Sequence, residues 1–267
     1  MKLPSLFAVI LFCSTLHARQ PVESKIASLP DEVAKETQAF NPDYWVHAPK
    51  QIGPNDRLPL IISLHGGGGG GHEIRKLRGQ AKAILKALDQ QNREDVIVVS
   101  PQCLKNPSGA GWLAHDLNLW LGHLKATLPV DANRIYLTGT SMGGYGTWMW
   151  AASNPEHFAA AVPLCGGLGK GGPKDVTPDL DQWAKSLATV PLWAFHGEDD
   201  RVVPSDRSER MVKAMKKHGA QNVKITVHKN LGHGIKSETY AETELYDWLF
   251  QWKKIPSQGD SVVKETR

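Results

Sequence analysis

Gly139-Thr140-Ser141-Met142-Gly143 holds a serine between small neighbours, where a β-type run over 134–138 gives way to a helical pattern. A hydroxyl on a sharp strand-to-helix turn is exposed for attack on a carbonyl. Gly139 and Gly143 spare that turn the side chains that would clash with it. The helix that follows offers open N–H groups and a partial positive charge where an oxyanion would develop. G-x-S-x-G arises by chance in roughly one chain in ten of this length at average Gly and Ser usage. The strand before and the helix after are what make Ser141 the candidate nucleophile.

A serine nucleophile needs a base. Of the eleven histidines, His233 stands in Leu231-Gly232-His233-Gly234, a loop after the last strand pattern with small neighbours that leave an imidazole free to turn. His115, His123, His157 and His218 fall in helical patterns, His228 within a strand and His17 in an apolar N-terminal stretch. There is no H-E-x-x-H or other metal-ligand spacing, so neither metal nor cofactor is expected. An acid that orients the base belongs after the run 192–195, where His196-Gly197-Glu198-Asp199-Asp200 offers three carboxylates. Its work is to hold one tautomer of His233 and to stabilise the imidazolium. Glu198 and Asp199 would equally serve to cap the helix after Pro204-Ser205. The chain order serine, acid, histidine is that of the α/β-hydrolase arrangement.

Oxyanion stabilisation needs two backbone donors. Met142 N–H is one candidate, and Gly67 N–H, in the loop opened by Leu64-His65-Gly66-Gly67, is the other. The glycine run Gly66–Gly71 is not a phosphate cradle, because His72-Glu73 follows in place of Gly-Lys-Ser/Thr. Trp112, after the second confident strand, is a candidate for the substrate pocket, whereas Trp148 and Trp150 read as core.

Short apolar runs at 60–64, 96–100, 134–138, 160–164, 192–195 and 224–228 alternate with helical patterns at 73–88, 113–124, 143–153, 205–218 and 237–252. Continuously apolar strands must be covered on both faces, and strict alternation with helices predicts a mostly parallel sheet. Ser205 and Ser237 are candidate N-caps and Gly219 a candidate C-cap. Ahead of this core, 44–47 predicts an edge strand with no clear strand before it, and 33–38 has a weak helical pattern. The stretch 166–178 reads as an irregular loop. No linker divides the chain, so one domain is expected over 19–255, with a polar tail at 256–267.

The formal charge is +4, with basic residues scattered rather than gathered in one run, so neither nucleic-acid nor membrane binding is expected. Lys2, an apolar stretch over 3–16 and Ala18 follow the order of a secretory signal. The stretch is short of the roughly 20 residues of a membrane span, and Phe12 before Cys13 does not suit lipoprotein processing. Cleavage after Ala18 and a secreted or periplasmic protein are expected. Cys103 and Cys165 follow strands separated by two others, roughly 14 Å apart at about 4.8 Å per strand. That is beyond disulfide reach, so two unpaired thiols are expected.

From Tyr44 to Trp252 the chain resembles α/β-hydrolases of the predicted-peptidase, polyhydroxybutyrate-depolymerase and feruloyl-esterase-like group. The resemblance is carried by Leu64-His65-Gly66-Gly67-Gly68, by Arg134 to Trp148 around Ser141, by Trp193 to Pro204, and by Gly232-His233 with Glu244 to Leu249. It implies an α/β-hydrolase fold with a minimal cap, and it selects Asp200, four residues after the His-Gly histidine, as the acid. The glycine run is longer than in that group, which leaves room for the Gly67 donor to slip by one. The implied reaction is hydrolysis of carboxylic esters through an acyl-enzyme, with acetyl or feruloyl esters of polysaccharides as small or polymer-linked substrates. A secreted peptidase with the same triad and a catalytically silent binding protein are the alternatives. A silent protein usually lacks a triad member, and none is missing here.

Overall fold

Runs of Val, Ile and Leu without polar alternation cannot face water on either side, and each becomes a buried strand. The structure, a computed structural model, describes residues 21–93, 95–104, 111–168 and 179–254. The signal-like stretch, its cleavage point and the polar tail lie outside them, as does most of the 166–178 loop. Six strands run parallel: β3 (Leu58–Leu64), β4 (Ile97–Ser100), β5 (Val130–Thr140), β6 (Ala160–Leu164), β7 (Leu192–Gly197) and β8 (Val223–His228). With β1 (Val22–Ser28) and β2 (Asp43–Pro49) they form one sheet in the order β1-β2-β4-β3-β5-β6-β7-β8. This mostly parallel sheet with helices on both faces is the α/β-hydrolase fold.

Successive side chains of a strand point to opposite faces, and the core divides accordingly. Leu60, Ile62, Ile135 and Leu137 meet α3 (Ala114–Thr127), α4 (Met142–Ser153), α5 (Leu180–Leu187) and α6 (Asp206–Lys217). Ile61, Val98, Tyr136 and Val162 meet α2 (Lys82–Gln90), α7 (Lys236–Ala241) and α8 (Thr243–Phe250). Trp148 and Trp150 are fully buried in α4, as core residues should be.

Several expectations need correction. The 44–47 run is not an edge, because β1 pairs antiparallel along β2 from Val22↔Pro49 to Ser28↔Asp43. β1 escaped notice because its polar residues give no apolar run. The weak pattern at 33–38 corresponds to a four-residue helix slightly earlier, α1 (Asp31–Ala34). The 73–88 pattern is split into a 3-10 turn over Ile74–Leu77 and α2. The 237–252 pattern is likewise split at Glu242, and Ser237 lies inside α7 rather than at its cap. Ser205 does stand before α6, but its hydroxyl donates to Glu209 instead of accepting from the helix. Gly219 follows α6 with φ +85°, as a C-terminal glycine should. Helix α5, capped by Asp179 accepting from Gln182 N–H at 3.1 Å, was not foreseen.

The chain leaves β3 towards β4 on one side and returns to β5 on the other, which opens a crevice at the carboxyl ends of the strands. Helix α4 enters that end of the sheet in backbone contact with it. A Cβ at Gly143 would overlap the carbonyl of Leu64, and one at Gly144 the carbonyl of Leu164. Gly143→Ala is therefore expected to lower stability by about 1–3 kcal/mol or more, measured as the urea midpoint. A midpoint equal to wild type would mean that α4 does not sit this close to β3.

Candidate active site

Ser141 is the residue between β5 and α4, and its backbone has φ 58° and ψ −117°. A non-glycine residue in this region stores about 1–3 kcal/mol of strain, held here by Ser141 N–H donating to Leu164 O at 2.9 Å. His233 comes from the loop between β8 and α7, and Asp200 from the loop after β7. The two loops touch through their backbones: Asp199 N–H donates to Leu231 O at 2.9 Å, and a Cβ at Gly197 would overlap the carbonyl of Gly232.

His233 Nε2 lies 2.8 Å from Ser141 Oγ, and His233 Nδ1 lies 2.7 Å from Asp200 Oδ2. An ionised carboxylate only accepts, so Nδ1–H donates to it and Nε2 is left to accept the Ser141 hydroxyl. Asp200 Oδ1 accepts the N–H groups of Val202 and Val203, both at 2.9 Å. Burial works to raise the Asp200 carboxyl, but the His233 hydrogen bond and the Val203 and Val202 N–H groups together hold it below the usual carboxylate range. Glu198 and Asp199 are exposed; Glu198 accepts from Asn230 N–H instead.

Two buried histidines that sequence reasoning passed over support these loops. His196 Nε2 donates to Val203 O at 2.8 Å and lies 3.3 Å from Asp200 Oδ2, while its Nδ1 meets Ser208 Oγ at 2.9 Å. His65 Nδ1–H donates to Gly66 O at 2.7 Å, and its Nε2 accepts Cys103 N–H at 3.1 Å. Because a trans peptide sets C=O and N–H on opposite sides, fixing the Gly66 carbonyl also fixes the direction of Gly67 N–H. This loop runs beside Ser141: a Cβ at Gly66 would stand 3.6 Å from its Cβ. Met142, first residue of α4, contributes one of the N–H groups that a helix start leaves without an intrahelical acceptor. The available signal for His65 was a histidine closing an otherwise apolar strand.

Trp112 does not present a face to substrate. It is 3% exposed, its Nε1–H donates to His65 O at 3.3 Å, and its ring centroid lies 4.7 Å from that of His65. Gly146 of α4 leaves the space that its indole fills. The residue packs beneath the site because a bulky ring there fills the gap between α4 and the His65 loop.

Residues 82–247 match the dienelactone hydrolase family. The chain belongs to that family, within the α/β-hydrolase superfamily. A bifunctional acetylxylan esterase/xylanase of Neocallimastix patriciarum is 26% identical over 188 residues, 67% of this chain and 24% of that protein. Poly(3-hydroxyalkanoate) depolymerase C of Paucimonas lemoignei is 42% identical over 143 residues, 49% of this chain and 33% of that protein. This dienelactone hydrolase family member thus spans a quarter to a third of the length of those two relatives. Among solved structures, a thermostable esterase matches with TM-score 0.68 and 28% identity, over 87% of this chain and 63% of that one. A ferulic acid esterase matches in fold with TM-score 0.66 and 17% identity, over 87% of this chain and 99% of that one.

Both cysteines of the described family domain are buried and not joined to each other. Cys165 Sγ, Asp200 and His233 place ligand atoms within 4.8 Å of one another. Burial, then the Asp200 charge, push the Cys165 thiol up to about 12. It is therefore a neutral donor to His233 O at 3.4 Å. Burial likewise lowers His65 to about 4. Since the unfolded imidazole titrates near 6.5, the stability tied to neutral His65 is complete above that pH. It is lost as pH falls towards about 4, by up to about 1.4 kcal/mol per pH unit. Urea midpoints measured across this window should fall more steeply for wild type than for His65→Asn; parallel slopes would contradict a neutral, buried His65.

Proposed function

We propose that this chain is a serine hydrolase that cleaves carboxylic esters through Ser141, His233 and Asp200. The observation that carries the reading is the unbroken hydrogen-bonded series from Asp200 through His233 to a serine held at positive φ. His233 Nε2 takes the Ser141 proton as Oγ attacks the ester carbonyl carbon. The resulting oxyanion accepts from Gly67 and Met142 N–H, each such donor contributing about 3–4 kcal/mol to lowering the barrier. His233 returns the proton to the leaving alcohol, and water repeats the sequence on the acyl-enzyme to release the acid. The role of Asp200 is to hold the reactive tautomer and offset the imidazolium charge. No metal or cofactor enters these steps.

Polymer-linked esters, acetyl or feruloyl groups on polysaccharides, are the substrate class proposed. The similarity to the acetylxylan esterase/xylanase and the fold shared with the ferulic acid esterase support this choice. So does the signal-like N-terminus, which suits a secreted or periplasmic enzyme cut near Ala18, with one hydrolase domain over 19–255. No helix among the described residues is long and apolar enough to cross a membrane. Neither nucleic acid nor stable membrane insertion forms part of the proposal.

The test compares wild type with Ser141→Ala and Asp200→Asn on p-nitrophenyl acetate and butyrate, beside labelling by a fluorophosphonate. Ser141→Ala should lose about four orders of magnitude or more in kcat/KM and all labelling, and Asp200→Asn about three to four. Labelling at Ser141 without ester turnover would favour a peptidase. A folded wild type that neither labels nor hydrolyses would leave a silent binding protein.

A further inference from the structure

The 3-10 turn over Ile74–Leu77, the turn after it and the start of α2 carry Arg75, Arg78, Lys82 and Lys86, and the first three of these cations line one cleft. None of them has an acidic partner among the described residues; nearby Glu73 pairs with Lys76 at 3.1 Å. Between this side and the β1–β2 edge lies a cleft of about 770 Å³, lined by Arg75, Arg78 and Lys82 and by no carboxylate among the described residues. Trp45 and His47 of β2 also border it, with ring centroids 6.0 Å apart and planes 6° from parallel.

His47 supplies an independent observation. The residue is 3% exposed and its Nδ1 is satisfied by Ser24 Oγ at 2.7 Å, yet its Nε2 has no hydrogen-bond partner. A buried polar atom left unpaired is costly, and this one sits in a side chain that borders a cationic cleft. Ile26, one of few large apolar residues exposed in the described structure, borders the same cleft.

We infer that this cleft is a second binding site, which takes a carboxylate-bearing sugar, a uronate, of the polysaccharide whose ester Ser141 attacks. Arginine forks match a carboxylate in bidentate geometry, while the exposed Ile26 offers apolar surface to the C–H face of a pyranose ring. A neutral sugar would give three uncompensated cations nothing to bind. The cleft adjoins a groove of about 400 Å³ between α2 and α7, with which it shares the lining residues Gly79 and Lys82. That groove carries Lys86 and Lys236. Lys236 stands three residues after His233 and donates to Gln80, whose amide donates to Leu64 O at 3.3 Å. The choice of a polysaccharide rests on the ester-hydrolase reading; the cationic cleft does not.

The full chain and the variant R75A/R78A/K82A would be titrated calorimetrically with oligogalacturonate, a neutral xylo-oligosaccharide of equal length, and inorganic polyphosphate, at low and high salt. All three substituted side chains are exposed, so turnover of p-nitrophenyl acetate and the Tm should stay at wild-type values. Wild type should bind oligogalacturonate at least about tenfold more tightly than the neutral oligomer, with the difference shrinking as salt rises. The variant should lose that difference. Equal binding by wild type and variant would overturn the inference. So would polyphosphate binding as tight as oligogalacturonate and lost in parallel, which would mark an undiscriminating polyanion surface. Uronate binding that persists in a wild type without ester turnover supports this site while sinking the hydrolase reading.

Discussion

The site depends on one close approach: the backbone of α4 enters between the ends of β3 and β6 at less than side-chain distance. Gly143 and Gly144 meet the carbonyls of Leu64 and Leu164, and the turn that makes this entry possible leaves Ser141 in a left-handed conformation. The strain is local, but what holds it is not. Leu164 O receives Ser141 N–H, the whole of α4 from Gly143 to Ala152 is buried, and Trp148 and Trp150 anchor its far side in the core. A helix fixed that firmly can keep a strained residue at its start.

Asp200 and His233, the other two residues of the candidate triad, are held by polar contacts rather than by packing. Asp200 is surrounded by donors, from Val202, Val203, His196 and His233, so its charge is compensated without water. A buried carboxylate in such a nest stays ionised, and an ionised Asp200 decides which nitrogen of His233 faces Ser141. His65 plays a comparable part on the opposite side of the nucleophile by fixing the Gly66 peptide. Neutral imidazoles thus act as spacers with one donor and one acceptor, a pairing that no aliphatic side chain provides.

The sheet was legible wherever its strands are continuously apolar, because such runs have few other uses. The 192–195 run differs from β7 only at its end. The meeting of Ser141 and His233 was legible because both stand among small neighbours at strand ends. The choice among Glu198, Asp199 and Asp200 was not legible from residue type, since all three are carboxylates. It follows instead from the tight turn at Val202–Val203, which gathers two N–H groups on Asp200. β1 was hidden by its polarity, and Trp112 misled because an indole in a loop suits a binding surface and a packing plug equally well. The helix break at Glu242 left no trace in the periodicity, because Tyr240 and Leu245 stay buried on either side of it.

The polarity that concealed β1 has a bearing on how copies of the molecule behave towards one another. A sheet ends in a row of open amide and carbonyl groups, and a flat apolar end strand invites another chain to continue it. Here the end strand β1 sets Glu23 and Lys25 in alternation with Val22, Ser24 and Ile26, and is exposed along nearly its whole length. Any chain approaching that edge must strip water from charges before it gains a hydrogen bond. β1 therefore works as a selvedge: it finishes that end of the weave, and keeps it from being extended by a neighbour.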